Sequence, residues 1–128
     1  MRRMMFQTKR KQGTSAYYEF QFCKHFLPPE ILVTPKYYGK IHFHPDSLLV
    51  HMDDDEIFFS NYLKYLSPAL APDGTTQFSD CGVNYYTKEQ AERMRSRILS
   101  EKPLEYGILA AWLEKAASEY NGFYILGI

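Results

Sequence analysis

The stretch TKEQAERMRSRILSEKPLEYGILAAWLEKAASEYNGFYILGI, residues 87–128, decides the fold, because it predicts two helices followed by a strand. Thr87 followed three residues later by Gln90 is a capping-box pattern, which satisfies free N–H groups in a first helical turn. Apolar residues then recur at helical spacing, at Ala91, Met94, Ile98 and Leu99. Lys102-Pro103 interrupts the pattern, since proline disfavours a helix interior.

The second predicted helix runs from about Pro103 to Tyr120 and ends at the stop signal Asn121-Gly122. Its broad apolar face is centred on Trp112, the only tryptophan of the chain. Residues 123–128 are apolar at nearly every position, which predicts a strand buried on both faces in the interior of a sheet.

The preceding residues predict further strands and one more helix. Residues 16–26 alternate between an apolar face and a polar face that carries Glu19, Gln21 and His25, as expected of a half-buried strand. A hairpin is predicted from residues 40–45 and 47–52, and a helix capped by Asp53 or Asp54 follows. Residues 69–82 form a long irregular loop, and such loops are either functional or mobile.

These elements predict one α+β domain spanning residues 1–128. We expect a mostly antiparallel sheet of about four to six strands, with about three helices packed mainly on one face. Residues 1–12 form a basic N-terminal segment that we expect to be partly flexible.

Composition excludes some classes of function and favours others. Lys and Arg together number 15, as do Asp and Glu, and this zero balance argues against general nucleic-acid binding. No signal peptide or membrane-spanning run is found, so the expected location is the cytoplasm, with no membrane contact. The two cysteines, Cys23 and Cys81, form neither a disulfide framework nor a zinc motif.

The acidic run, which we define as Asp53, Asp54, Asp55 and Glu56, is the leading candidate for a binding site. One or two carboxylates at a helix start are explained by capping and by the helix dipole. Four exceed what capping needs, and they form a negative patch able to meet a basic surface. Tyrosines close by, Tyr62 in particular, could extend such an interface, although core packing explains the 11 tyrosines equally well.

His42-Phe43-His44 is the main alternative, because alternate residues of a strand share a face and two imidazoles could bind a metal ion. This pair predicts a small metal-binding or hydrolytic protein. No spacing identifies the further ligands, so the pair alone is a weak signal, and the histidines are also explained as the polar face of a strand with Ile41 and Phe43 facing the core.

Two weaker candidates remain. Cys23 lies two residues from His25 and could form a nucleophile–base pair, but no orienting or oxyanion group is identifiable. The basic residues Arg2, Arg3, Lys9, Arg10 and Lys11 could contact phosphate, or they could form a solvated tail.

The acidic helix start, together with the pattern from Val83-Asn84-Tyr85-Tyr86-Thr87 through Trp112 to residues 121–128, resembles small bacterial immunity proteins. These are the α+β partners of toxins in contact-dependent growth inhibition and related polymorphic toxin systems. The resemblance is architectural, covers about the last third of the chain and carries over no functional residues. It implies a non-enzymatic, cytoplasmic protein without a cofactor that binds one cognate protein toxin. An acidic patch would suit a toxin with a basic nuclease domain. This chain would then bind the toxin, and we expect no direct contact between this chain and nucleic acid.

Overall fold

The computed structural model describes residues 4–9, 16–38 and 44–127, and within them a five-stranded antiparallel sheet organises the fold. The strands are β1 (Phe6–Gln7), β2 (Tyr17–Phe22), β3 (Leu48–His51), β4 (Val83–Tyr86) and β5 (Phe123–Leu126). Their order across the sheet is β1-β3-β2-β5-β4.

Three helices of eight residues or more cover one face of the sheet and enclose the main core. The helices of the described chain are α1 (Pro29–Leu32), α2 (Pro35–Tyr38), α3 (Asp55–Tyr62), α4 (Lys88–Glu101) and α5 (Tyr106–Ser118). Short 3-10 turns at Met52–Asp54 and Leu63–Tyr65 flank α3. The predicted α+β class, with an antiparallel sheet and about three helices on one face, is confirmed.

Strand β5 lies between β2 and β4, as its apolar sequence predicted. Phe123 and Ile125 point into the core beneath the helices, and Tyr124 packs on the opposite face. All three are at most 4% exposed. The strand ends at Leu126, and Ile128, which was included in the prediction, lies outside the described residues.

The capping box of α4 is present as predicted. The Gln90 N–H donates to Thr87 Oγ1 at 3.1 Å, and the Thr87 N–H donates to Gln90 Oε1 at 2.8 Å. Ala91, Met94 and Ile98 are buried, but Leu99 is 39% exposed. Eight residues at the α-helical rotation place Leu99 roughly 80° around the helix from Ala91, beyond the buried face.

Helix α5 begins at Tyr106, later than the predicted Pro103, because the backbone turns sharply between α4 and α5. Lys102 and Glu105 have φ angles of 52° and 58°, which are not helical. The Glu105 carboxylate accepts hydrogen bonds from the N–H groups of Met5 and Phe6, at 2.7 and 2.9 Å. This turn therefore anchors the short edge strand β1.

Trp112 packs at the centre of α5 against the sheet. Its ring stacks on Phe22 with centroids 4.1 Å apart, and its N–H donates to the Asp46 carbonyl at 2.9 Å. Burial of a large aromatic with a satisfied polar tip is a strong source of stability.

The prediction that β2 is half-buried is wrong, since all six of its residues are buried. A second, smaller core lies on the face away from α3–α5 and includes Cys23, Leu32 and Tyr124. Glu19 is only 3% exposed, and its Oε2 accepts hydrogen bonds from Ser47 Oγ at 2.6 Å and Gln21 Nε2 at 3.0 Å. These hydrogen bonds allow Glu19 and Gln21 to be buried in β2, and a hydropathy pattern cannot reveal such bonds.

The predicted strand at residues 47–52 is confirmed as β3. Its neighbours in the sheet differ from the hairpin partner that was predicted at residues 40–45. β3 pairs with β1 on one side and with β2 on the other. Residues 39–43, which include most of the proposed partner strand, lie outside the described residues.

Candidate protein-binding site

The acidic run lies at the start of α3, where the chain leaves β3. Asp53 and Asp54 are in the 3-10 turn, and Asp55 and Glu56 form the first turn of α3. Asp53 and Glu56 are exposed, whereas Asp54 and Asp55 are half-buried. Negative charge is favoured here by the helix dipole.

Capping by the side chain of the N-cap residue is not observed at the start of α3. Asp54 occupies the N-cap position of α3, but its side chain makes no capping hydrogen bond. The cap of the preceding turn is His51, whose Nδ1 accepts a hydrogen bond from the Asp53 N–H at 3.1 Å. The prediction that an aspartate side chain caps this helix is therefore wrong, because an imidazole performs that role one turn earlier.

Exposed apolar side chains accompany the acidic run. Met52, Ile57 and Leu63 are 45%, 38% and 52% exposed. These side chains add apolar area to the acidic surface, although apolar residues elsewhere, such as Phe26 at 67%, are exposed to a similar or greater extent.

Tyr62 does not belong to this surface, which corrects its prediction as a partner-binding residue. It is 1% exposed, and its hydroxyl donates a hydrogen bond to the Leu104 carbonyl. Its ring packs against Phe6 and Phe58 in the core. Tyr62 holds α3 against the sheet and has no area to offer a partner.

Core packing also explains most of the other tyrosines. Among tyrosines whose side chains are described, those at most 5% exposed are Tyr17, Tyr18, Tyr62, Tyr65, Tyr85, Tyr86 and Tyr124. Hydroxyls of this group reach backbone carbonyls, as in the bond from Tyr124 to Leu32 at 2.9 Å. Tyrosine content is therefore largely a property of the core.

An open groove of about 970 Å³ lies between α3 and residues 74–80. Phe59 and Leu63 form its helical wall, and Phe78 lies across from Phe59, with ring centroids 6.0 Å apart. Asp55, Phe59 and Leu63 are spaced four residues apart, so they form one stripe along this side of the helix. Asp55 itself does not line the groove, which begins at Phe59, about one helical turn beyond the acidic run.

Asp80, in the opposite wall, brings a second carboxylate to this region. The pKa of the Tyr18 hydroxyl is raised, first by burial and then by the nearby charges of Asp55 and Asp80. Asp80 is the acidic residue of the groove wall, and it is exposed. Sequence reasoning missed Asp80, since no local pattern links it to Asp55.

The groove wall at residues 74–80 is anchored by hydrogen bonds. Asp73 Oδ1 accepts from the N–H and hydroxyl of Thr75, at 3.0 and 2.8 Å, which lowers the pKa of its carboxyl. Asn84, fully buried in β4, accepts from the Ser79 N–H at 2.7 Å and donates to the carbonyls of Ser79 and Ile125. The long loop predicted as functional or mobile is thus fixed to the sheet at Ser79.

The histidine pair cannot be assessed as predicted, because His42 lies outside the described residues. His44 is half-buried and lines a small cavity of about 140 Å³ together with His25 and Tyr37. Across residues 4–9, 16–38 and 44–127, no three His, Cys, Asp or Glu residues are grouped as metal ligands.

Cys23 and the basic tail provide no assembled site among the residues described. The Cys23 thiol is buried, and it donates to the backbone carbonyl of His25 at 3.4 Å. Burial raises its pKa, which keeps it in the less reactive neutral form. Of the basic residues near the N-terminus, Lys9 is exposed, whereas Arg2, Arg3, Arg10 and Lys11 lie outside the described residues.

Comparison of the chain with protein-family models, with curated proteins and with solved structures gives no significant match. None of the helices in the described segments is both long enough and apolar enough to cross a membrane.

Proposed function

We propose that this chain is a non-enzymatic inhibitor, an immunity protein that binds a cognate toxin and blocks its active site or substrate access. The observation that carries the proposal is the acidic run at the start of α3, whose exposed Asp53 and Glu56 lie beside exposed Met52 and Ile57. Such a surface has the mixture of charge and apolar area that suits a protein partner.

The sign of the charge favours a toxin with a basic cleft, such as a nuclease domain of a bacterial toxin system. Opposite charges on two surfaces accelerate their encounter and disfavour wrong partners. An acidic protein surface in a basic cleft would also compete with the phosphates of the substrate. The inhibitor would act in the cytoplasm, where the toxin meets its target.

Co-expression with the product of the neighbouring gene tests this proposal. We expect a one-to-one complex, and we expect the neighbour to be toxic when it is expressed alone. The absence of both a complex and toxicity would refute the proposed function.

The role of the acidic run is tested by the combined Asp53→Asn, Asp54→Asn, Asp55→Asn and Glu56→Gln variant. Removing these charges should slow association by about tenfold or more at low salt, because electrostatic steering is lost. Neutralising Glu30, Glu89, Glu114 and Glu119, which are four exposed acidic residues outside α3, provides the control matched in charge. Equal association rates for the two variants would show that the acidic run has no role in binding.

A further inference from the structure

We propose that helix α4 carries a phosphate site, in which the guanidinium groups of Arg93 and Arg97 hold the anion in a small cavity beside Ser67. The ligand is inorganic phosphate or the phosphate group of a small monoester. This inference goes beyond the proposed function, because the cavity shares no described lining residue with the acidic run.

The cavity lies between α4 and residues 65–68 and has a volume of about 130 Å³. Because one water molecule occupies about 30 Å³ of the liquid, this space admits roughly four waters or one tetrahedral oxyanion. Arg93 and Arg97 both line it. They are four residues apart in the same helix, so they lie one above the other on one side of α4.

The positive charge of the cavity is not neutralised within the protein. Among the described residues, the Arg93 guanidinium forms no ion pair or hydrogen bond, even with Glu89 one turn earlier on α4. Arg97 reaches Glu101 only at 4.0 Å, and Lys64 binds the same carboxylate more closely, at 2.8 Å. No acidic residue is present among the described lining residues. The cavity therefore presents two cationic groups that would be stabilised by an anion.

Arg97 is held in position before any ligand binds. Its guanidinium carbon lies 4.8 Å from the centre of the Tyr65 ring, which is a favourable cation–π contact. The Tyr65 hydroxyl donates to Glu101 Oε1 at 2.5 Å, which fixes the ring. A guanidinium that is already ordered loses less conformational freedom on binding.

The wall opposite the arginines is polar and fixed by hydrogen bonds. Ser67 Oγ accepts from the Phe78 N–H at 3.2 Å, and a hydroxyl that accepts can still donate its own hydrogen to an anion. Gln90 Oε1 accepts from the Thr87 N–H at 2.8 Å, and Gln90 Nε2 donates to the Pro68 carbonyl at 3.1 Å. The cavity thus adds a hydroxyl donor to the two guanidinium groups.

Two guanidinium groups favour phosphate over a carboxylate. Arginine presents paired N–H donors that match the oxygens of either anion. A phosphate group carries a charge of about −1.5 to −2 at pH 7, whereas a carboxylate carries only one negative charge. The attraction to a pair of cations is therefore larger for phosphate.

The test titrates inorganic phosphate into the full chain at constant ionic strength and follows the amide signals by NMR. We expect saturable shifts at Ser67, Gln90 and Arg93, and weaker binding of acetate, which has a single charge. Arg93→Gln and Arg97→Gln should each weaken phosphate binding about tenfold or more, because each removes a charged hydrogen-bond donor.

Arg95→Gln is the matched control. Arg95 lies on the same helix, but it pairs with Glu92 at 3.0 Å and is not among the residues that line the cavity. This variant removes the same charge and should bind phosphate as the wild type does. Urea unfolding of all three variants separates loss of binding from loss of folding.

Glycerol 3-phosphate distinguishes the two sources of the phosphate group. Binding at least as tight as that of inorganic phosphate would support the site and assign it to a phosphate monoester, and weaker binding would support it as a site for the free anion. Shifts that do not saturate with either compound would overturn the inference. Equal weakening by Arg93→Gln and Arg95→Gln would also overturn it, since the effect would then reflect net charge alone. Neither result depends on whether a toxin binds the chain, so this test and that of the proposed function can fail separately.

Discussion

Phe59 of α3 and Phe78 of the 74–80 loop meet edge to face across the base of the groove, with ring centroids 6.0 Å apart and planes at 63°. This contact joins the helix whose first turn contains Asp55 and Glu56 to a loop that contributes Asp80. The width of the groove therefore depends on two partly buried rings.

A double-mutant cycle with Phe59→Ala and Phe78→Ala should detect this contact. Each variant should lower the free energy of unfolding by about 1–3 kcal/mol, and the two should be coupled by about 0.5–1.5 kcal/mol because the rings touch. Urea unfolding measures both quantities. The control pair Ile57→Ala and Phe78→Ala should be additive, and coupling of equal size in both pairs would contradict a specific ring contact.

Gly127→Ala should destabilise the protein by about 1–3 kcal/mol. A Cβ at this position would lie 2.4 Å from the Asp80 carbonyl oxygen and 2.7 Å from the Cys81 nitrogen, so the backbone at Asp80 must move. Thermal or urea unfolding provides the measurement. Gly107→Ala is the matched control, since a Cβ there meets nothing within 4 Å and lies in helix α5, where alanine should stabilise by about 0.5–1 kcal/mol. The same sign for both variants would contradict this account.

Trp112→Ala should lower the free energy of unfolding by about 3–5 kcal/mol, because it removes a buried ring stacked on Phe22. Trp112→Phe should cost less, since it keeps an aromatic ring and loses the hydrogen bond to the Asp46 carbonyl. Urea unfolding followed by circular dichroism measures both. A loss below about 1 kcal/mol for the alanine variant would show that Trp112 is not an anchor of the core.

Stability should fall steeply at alkaline pH. Burial raises the pKa values of Tyr62, Tyr85, Tyr86 and Tyr124 far above the ordinary value of about 10. Because the folded state holds these protons more tightly, their contribution is present below pH ~10 and is lost as the pH rises from there toward the folded pKa values. Each tyrosine contributes a slope of about 1.4 kcal/mol per pH unit in that range.

Urea unfolding at several alkaline pH values, combined with phenolate absorbance, tests this dependence. Tyr124→Phe removes one of these hydroxyls, so it should reduce the slope of unfolding free energy against pH by about 1.4 kcal/mol per pH unit. An unfolding free energy that stays constant between about pH 9 and 11 would contradict the burial of these hydroxyls.

The sequence predicted those parts of the fold that depend on nearby residues. The Thr87–Gln90 capping box and the interior strand β5 each leave a local pattern, and both are confirmed. Burial of Glu19 was not predictable, because Ser47, which donates to it, is distant in sequence. A charged residue in an alternating strand is predicted to be exposed unless its hydrogen-bond partner is known.

The candidate site also has one part that the local sequence predicts and another part that depends on the fold. The acidic run is visible as consecutive letters, so the sequence indicates it directly. Asp80 reaches the groove wall only through the fold, where the loop is held to β4 by Asn84. Tyr62 was misassigned because helical spacing does not show which face of α3 meets the sheet until that helix is placed.

The position of β5 also has a consequence for folding kinetics. Its pairing with β2 joins Glu19 to Leu126, so the centre of the sheet is closed by two segments from distant parts of the chain. Contacts of such long sequence separation slow folding, because chain entropy is lost before the contacts form. Until residues 123–126 are synthesised, β4 lacks its strand neighbour within the sheet. The centre of the sheet can therefore close only after almost all of the described chain has been made.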